Sequence, residues 1–219
     1  MKRFIFSEIT FEDIKTCVDL KRTNKTEKIW EDIDNIDLNE EDLQQIQFIQ
    51  TRLRKTQLHI MNEATIWGRA IYPLLLLIEK RSIEAWAEVS LAAHYKTFTL
   101  EGTVDGIIAE NIGGYLEAPY FIIVETKRGI NAKNPIPQLY AELLAVAMLN
   151  QQQSPQDSQR VFGCYTIVDS WTFVQADVFN IDSKCPRLEI STSKEYDEKY
   201  EAQSILKILK NILQVMMQK

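Results

Sequence analysis

The sequence predicts an α/β fold, and three observations carry that prediction. Apolar residues recur at helical spacing through about residue 80. From Ile83 the pattern changes to apolar runs typical of strands, with Tyr120-Phe-Ile-Ile-Val124 the most continuous. A helix opened by Pro135 and Pro137 then separates those strands from a later hairpin. With 219 residues, 45% of them hydrophobic and 26% charged, the chain can bury a real core and has the balance of a soluble globular protein.

Residues 1–58 are expected to form a helical N-terminal extension and residues 59–219 the main domain. Thr10 with Asp13 caps a short helix carrying Ile14, Cys17, Val18 and Leu20. Residues 21–28 read as a polar, basic connector. Asn39 followed by Glu40, Glu41 and Asp42 starts a second helix, with Leu43, Ile46, Ile49 and Leu53 on one stripe. Arg52, Arg54 and Lys55 near its end complement the helix dipole, a reading preferred over phosphate contact. Residues 62–80 are helical with a break near Pro73.

Strands follow at 83–98, 101–109 and 120–128, the last two turned by Asn111-Ile-Gly-Gly114. The helix from Gln138 to about Gln151 buries Leu139, Leu143, Val146 and Leu149. Residues 161–168 and 171–179 form a hairpin, and 188–192 a short strand. An amphipathic C-terminal helix presents Tyr196, Tyr200, Ile205, Leu209, Ile212, Val215 and Met216. That stripe is expected to pack on the core; a homodimer through it is the alternative.

The chemistry concentrates on Glu125-Thr126-Lys127 at the end of an apolar strand. Side chains two apart on a strand share a face, roughly 7 Å from each other. A hairpin centred near residue 115 sets Asp105, from Gly102-Thr-Val-Asp105, opposite Glu125, and Ile107 opposite Ile123. Two carboxylates that close repel unless one protonates or a cation sits between them. A divalent metal meets that need, because Mg²⁺ takes one or two carboxylates, several waters and substrate phosphate oxygens. Lys127 is suited to orienting the attacking water and stabilising charge on phosphorus. The carbonyl of Thr126 is a further candidate ligand.

These residues resemble the PD-(D/E)xK nuclease superfamily, of restriction-endonuclease-like fold. The resemblance runs from about Glu63 to Phe179. It covers the first helix Asn62-Glu-Ala-Thr-Ile-Trp-Gly-Arg-Ala-Ile-Tyr-Pro, then Gly102-Thr-Val-Asp105, Val124-Glu-Thr-Lys127 and the helix opening with Gln138. Gly163-Cys-Tyr-Thr-Ile-Val-Asp-Ser-Trp-Thr-Phe173 is similar to the strand pair that follows that helix in type I restriction-subunit-like and cyanobacterial-type relatives.

The resemblance implies a three-layer core, with a central mixed sheet flanked by helices, and a Mg²⁺- or Mn²⁺-dependent endonuclease acting on DNA, in restriction, defence or repair. It implies Asp105 and Glu125 as metal ligands, Lys127 as the catalytic lysine, Gln138 as a residue positioning substrate or water, and Glu63 as the first-helix carboxylate. Val104 stands where the motif's name has proline. Glu142 stands where a Q-x-x-x-Y version has tyrosine. The alternative is a catalytically inactive nuclease-fold subunit for DNA binding or assembly.

Other classes fit poorly. A net charge of −6 argues against coating nucleic acid by bulk attraction, though not against a local basic groove that Arg128 and Lys133 could serve. His59 and His94 are too few for a histidine-rich zinc site. Cys17, Cys164 and Cys185 form no C-x-x-C pair and read as thiols of a reducing cytoplasm. The chain contains no G-x-S-x-G elbow, phosphate-binding G-x-x-x-x-G-K-[ST] loop or H-E-x-x-H helix. No secretory leader is visible, and the apolar run from Ile71 to Ile78 is far short of the ~20 residues that span a bilayer.

Overall fold

The computed structural model describes residues 1–23, 27–129 and 132–218. Its N-terminal part runs β1 (Lys2–Ile5), α1 (Phe11–Cys17), β2 (Asp19–Arg22), α2 (Lys28–Glu31), α3 (Glu40–Leu53), α4 (Glu63–Ile66) and α5 (Tyr72–Leu76). The remainder is β3 (Ile83–His94), β4 (Phe98–Ile112), β5 (Tyr115–Lys127), α6 (Ile136–Gln153), β6 (Ser158–Ile167), β7 (Ser170–Phe179), β8 (Arg187–Asp197) and α7 (Glu198–Met217).

The helix starts are built from the expected caps. Thr10 and Asp13 exchange side-chain-to-backbone hydrogen bonds at the head of α1, and Asn39 and Asp42 do so at the head of α3. Each exchange satisfies two of the backbone donors that a helix start leaves free. The 62–80 stretch is distorted ahead of Pro73: the backbone stays helical from Glu63 to Leu76 but widens over Trp67–Ile71. That wide turn separates α4 from α5, and Pro73 lies in the first turn of α5.

The eight strands make one curled mixed sheet in the order β1-β4-β5-β6-β7-β8-β2, with β3 pairing the other side of β4. The pairs β3–β4, β4–β5, β6–β7 and β7–β8 are antiparallel, and β5–β6 is parallel across the α6 connection. Helices cover both faces. One apolar layer joins Ile14 of α1 and Leu139 and Leu143 of α6 to Ile107 and Ile123. The other joins Ile46 and Leu53 of α3, Leu74 of α5 and Ile205 and Leu209 of α7 to Val124 and Phe173.

The expected helical extension over residues 1–58 is not found. β1 pairs with β4, β2 pairs with β8, and both belong to the main sheet. Each strand is four residues long and rich in charge, Lys-Arg-Phe-Ile and Asp-Leu-Lys-Arg. Strands so short show no readable alternation, and their charges suit a sheet edge. Residues 24–26 of the expected connector lie outside the described residues. Leu43, placed on the buried stripe of α3, is 40% exposed. The Arg54 guanidinium donates to the Lys199 carbonyl at 3.0 and 3.1 Å, tying α3 to α7. Ile205, Leu209 and Ile212 are buried within the chain, as the core reading of the C-terminal stripe requires, whereas Tyr200 is exposed.

Candidate active site

The site begins with how β4 is flanked. On one side β3 follows it from Thr99 to Glu110. On the other, β1 covers Phe98–Glu101 and β5 covers Gly106–Ile112. Asp105 lies in the gap where β1 and β5 part. The expected Ile107–Ile123 pairing is present, and Gly106 faces Val124. The ladder stops there. Asp105, next in line to face Glu125, accepts a hydrogen bond from the Thr126 N–H at 2.7 Å.

The register is reached by a different route from the one expected. The turn lies at Gly113-Gly114, both at positive φ, as a tight hairpin needs. The shift to a centre near 115 comes later, where two steps on β4, Glu110 to Ile108, match five on β5, Glu117 to Ile122. Pro119, which cannot donate to a ladder, lies in that irregular stretch.

Glu125 is fully buried and points toward α6. Its Oε2 accepts from the Gln138 side-chain amide at 2.8 Å. Its Oε1 abuts the Lys127 ammonium as an ion pair but has no donor aligned as a hydrogen bond. The Gln138 amide also donates to Glu142 Oε1 at 3.0 Å. Glu142 is itself fully buried, and its Oε2 has no partner. Sequence reasoning treated Glu142 only as a departure from a tyrosine motif. The signal was an acid on an otherwise apolar helix, one turn beyond Gln138 and on the same face.

Electrostatics follow from this crowding. Burial, then the Asp105 charge, push the Glu125 carboxyl up to about 7, with Lys127 opposing. Burial, then Glu125, hold Glu142 well above the ordinary carboxylate range. Burial also raises Asp105, against the Thr126 N–H and Lys127. For Lys127, burial acts downward but is outweighed by Glu125, Asp105 and Glu63, so its pKa is raised and it is an ammonium at neutral pH.

A cleft of about 340 Å³ opens over Asp105 and Thr126, walled by Glu63, Trp67 and Glu88. Trp67 lies against Gly106, where an added Cβ would collide with the indole. Glu63 accepts from the Arg128 N–H at 3.3 Å, which ties α4 to the end of β5. Thr126 is buried and pairs with Thr166 of β6. Glu88, which the sequence reading did not single out, has φ 53° and lies between the Ala87–Gly106 and Val89–Val104 pairs, abreast of Asp105. Only the β3–β4 register reveals it. Lys133 is turned away, donating to the Ser7 carbonyl at 3.0 Å.

The donors fit a hard divalent cation. They are carboxylate oxygens, and Glu125 Oε1 is buried with the Lys127 ammonium as its one charged contact and no aligned hydrogen-bond donor. Among the described residues no three His, Cys, Asp or Glu side chains converge into a cage. No protein-family model matches the sequence, and no curated protein matches it.

Proposed function

We propose that this protein is a Mg²⁺- or Mn²⁺-dependent endonuclease that hydrolyses phosphodiester bonds in DNA, with a restriction-endonuclease-like core of the PD-(D/E)xK kind. One observation carries the reading. Asp105, which accepts from the Thr126 N–H and lines a cleft, and Glu125, which pairs with Lys127, are delivered by adjacent strands to the point where β1 and β5 separate. The order of elements supports it: an acid-bearing helix, the Asp105 strand, the Glu125-Thr-Lys127 strand, the Gln138 helix and a strand pair.

In this reading Asp105 and Glu125 hold the cation, with Glu63 and the Thr126 carbonyl at its margin. When bound, the cation supplies Lewis-acid polarisation of a phosphodiester oxygen. Lys127, charged at neutral pH, offsets the negative charge that builds on phosphorus during attack. It also orients the attacking water by hydrogen bonding rather than by removing its proton. Gln138 fixes one oxygen of Glu125 and leaves the other toward Lys127. Trp67 and the buried β5 strand limit water at the reacting phosphate, which strengthens each of these contacts. The exposed Arg128 side chain flanks the strand end, within reach of a neighbouring phosphate.

The test is incubation of the purified protein with plasmid and single-stranded DNA in Mg²⁺ or Mn²⁺, beside Asp105→Ala and Lys127→Ala. Cleavage lost in both variants is expected. Cleavage that survives both substitutions rejects the site. The direct Lys127–Glu125 pair favours one second reading, a structural ion network in a catalytically inactive DNA-binding or assembly subunit. DNA binding without cleavage and without ion uptake in calorimetry selects it.

A further inference from the structure

Glu142 has no part in the site as the motif defines it, yet it is the other anchor of the Gln138 amide. We propose that Glu142 is a positioning residue: through Gln138 it sets the orientation of the Glu125 carboxylate, and thereby the affinity of the site for its cation. The inference rests on the metal-site reading above and adds to it a residue that the motif does not contain.

The geometry is specific. Gln138 and Glu142 are one turn apart on α6, and the same amide nitrogen donates to Glu125 Oε2 at 2.8 Å and to Glu142 Oε1 at 3.0 Å. An amide has two N–H groups, so each carboxylate receives one, and the plane of the amide is fixed by both. With Glu142 as the second acceptor, the half-buried side chain of Gln138 cannot rotate without losing a bond to a fully buried carboxylate. Oε2 of Glu125 is thereby held against the helix, and Oε1 is left toward Lys127 and the strand end.

The helix itself is seated closely. Gly163 of β6 lies under Leu139 and Leu143, where an added Cβ would meet their side chains at 3.1 and 3.2 Å and the Ile123 carbonyl at 3.0 Å. Close seating of α6 at Leu139 and Leu143 holds the neighbouring positions 138 and 142 within reach of β5. Glu142 also stands close enough to Glu125 for the two carboxyls to hydrogen-bond, and one side-chain donor is shared between them. That donor is the Gln138 amide.

The experiment is Mn²⁺ titration by calorimetry on the full chain, comparing wild type with Glu142→Leu, Glu142→Gln, Gln138→Met and Asp105→Ala, with a thermal melt of each. Glu142→Leu keeps the volume and removes the acceptor. It is expected to weaken Mn²⁺ by about 10–100-fold, the usual loss when a group that orients a ligand is removed, without lowering the melting temperature. Glu142→Gln retains an oxygen acceptor for the Gln138 amide and is expected to recover all but about threefold of that loss.

Gln138→Met cuts the same link from its middle. Its loss should match that of Glu142→Leu, and the two should not add in the double variant. This arm decides the matter if Glu142→Leu fails to fold. Wild-type affinity in both Glu142→Leu and Gln138→Met overturns the inference alone, provided Asp105→Ala has lost the ion. A Glu142→Gln loss as large as that of Glu142→Leu also overturns it, because something other than an oxygen acceptor for the Gln138 amide would then be at work. No Mn²⁺ binding by the wild-type protein overturns the metal site and this inference together.

Discussion

Two fully buried glutamates, Glu125 and Glu198, stand at strand ends in this fold, and their surroundings differ. Glu198 opens α7. Its Oε2 accepts from the Trp171 indole at 2.8 Å, its N–H donates to the Asp169 carbonyl at 3.0 Å, and its carbonyl accepts from the Gln50 amide at 3.4 Å. The nearby Asp169 is neutralised by Lys199 at 2.7 Å. Burial raises both glutamates, Glu198 well above the ordinary range and Glu125 to about 7. A raised carboxyl therefore does not identify a site. Glu125 differs in having Asp105 as the second-largest cause of its shift, and Asp105 opens onto a cleft. Glu198 likewise keeps Oε1 unpartnered and has Asp169 and Asp197 nearby, so the contrast rests on the cleft at Asp105 and on the indole N–H that Glu198 accepts.

The largest test of this contrast is catalytic. Glu125→Gln is expected to lower the cleavage rate by at least about 100-fold, the scale of losing one electrostatic contact to a reacting centre. Glu198→Gln should leave it within a few-fold of wild type. Plasmid nicking in Mg²⁺ at equal protein concentration reads both. Equal losses would show that the two glutamates act through the fold rather than through a site. Stability should not follow activity. Glu125→Gln removes a charge beside Asp105 as well as a pair with Lys127, and its unfolding free energy should stay within about 1 kcal/mol of wild type.

The reverse holds at the other end. Glu198→Ala strands the buried Trp171 N–H and opens a cavity under α7, at an expected cost of about 2–4 kcal/mol. For a chain of this size each kcal/mol lowers the melting temperature by about 2–4 °C. Urea unfolding and a thermal melt check the figure. A loss below about 1 kcal/mol would mean that Glu198 is no more structural than a surface residue.

The sequence showed more of the candidate site's local geometry than of the sheet that holds it, and the reason is the range over which each signal acts. Caps are local, so Thr10–Asp13 and Asn39–Asp42 were readable within four residues. Glu125 and Lys127 share a strand, and Asp105 was one hairpin away, so their proximity needed only one register. Even that register depended on three extra residues that β5 absorbs around Pro119, which the turn at Gly113-Gly114 does not foretell. Glu88 needed the β3–β4 register in addition. β1 and β2 pair with strands far along the chain, at Phe98–Glu101 and Arg187–Ile190, and four-residue segments carry no pattern that points there. Glu142 was within reach of local reasoning. It was read against a motif rather than as a buried acid one turn from Gln138.

The smallest effect separates the two glutamates by pH. A free glutamate has a pKa of 4.5, and both groups are raised above it in the folded chain. Between 4.5 and the raised value the folded state keeps a proton that the unfolded state has released. Stability therefore falls as pH rises through that window, by at most about 1.4 kcal/mol per pH unit for each group. For Glu125 the window closes near 7. Glu198→Gln should remove the Glu198 share of this slope in urea unfolding at pH 5, 6 and 7. A divalent cation favours the ionised form of Glu125 and so should flatten that share alone. Mg²⁺ should thus reduce the slope in wild type and in Glu198→Gln by equal amounts, and not at all in Asp105→Ala. A slope indifferent to Mg²⁺ in the wild-type chain would place Glu125 with Glu198, among the acids that hold the fold rather than an ion.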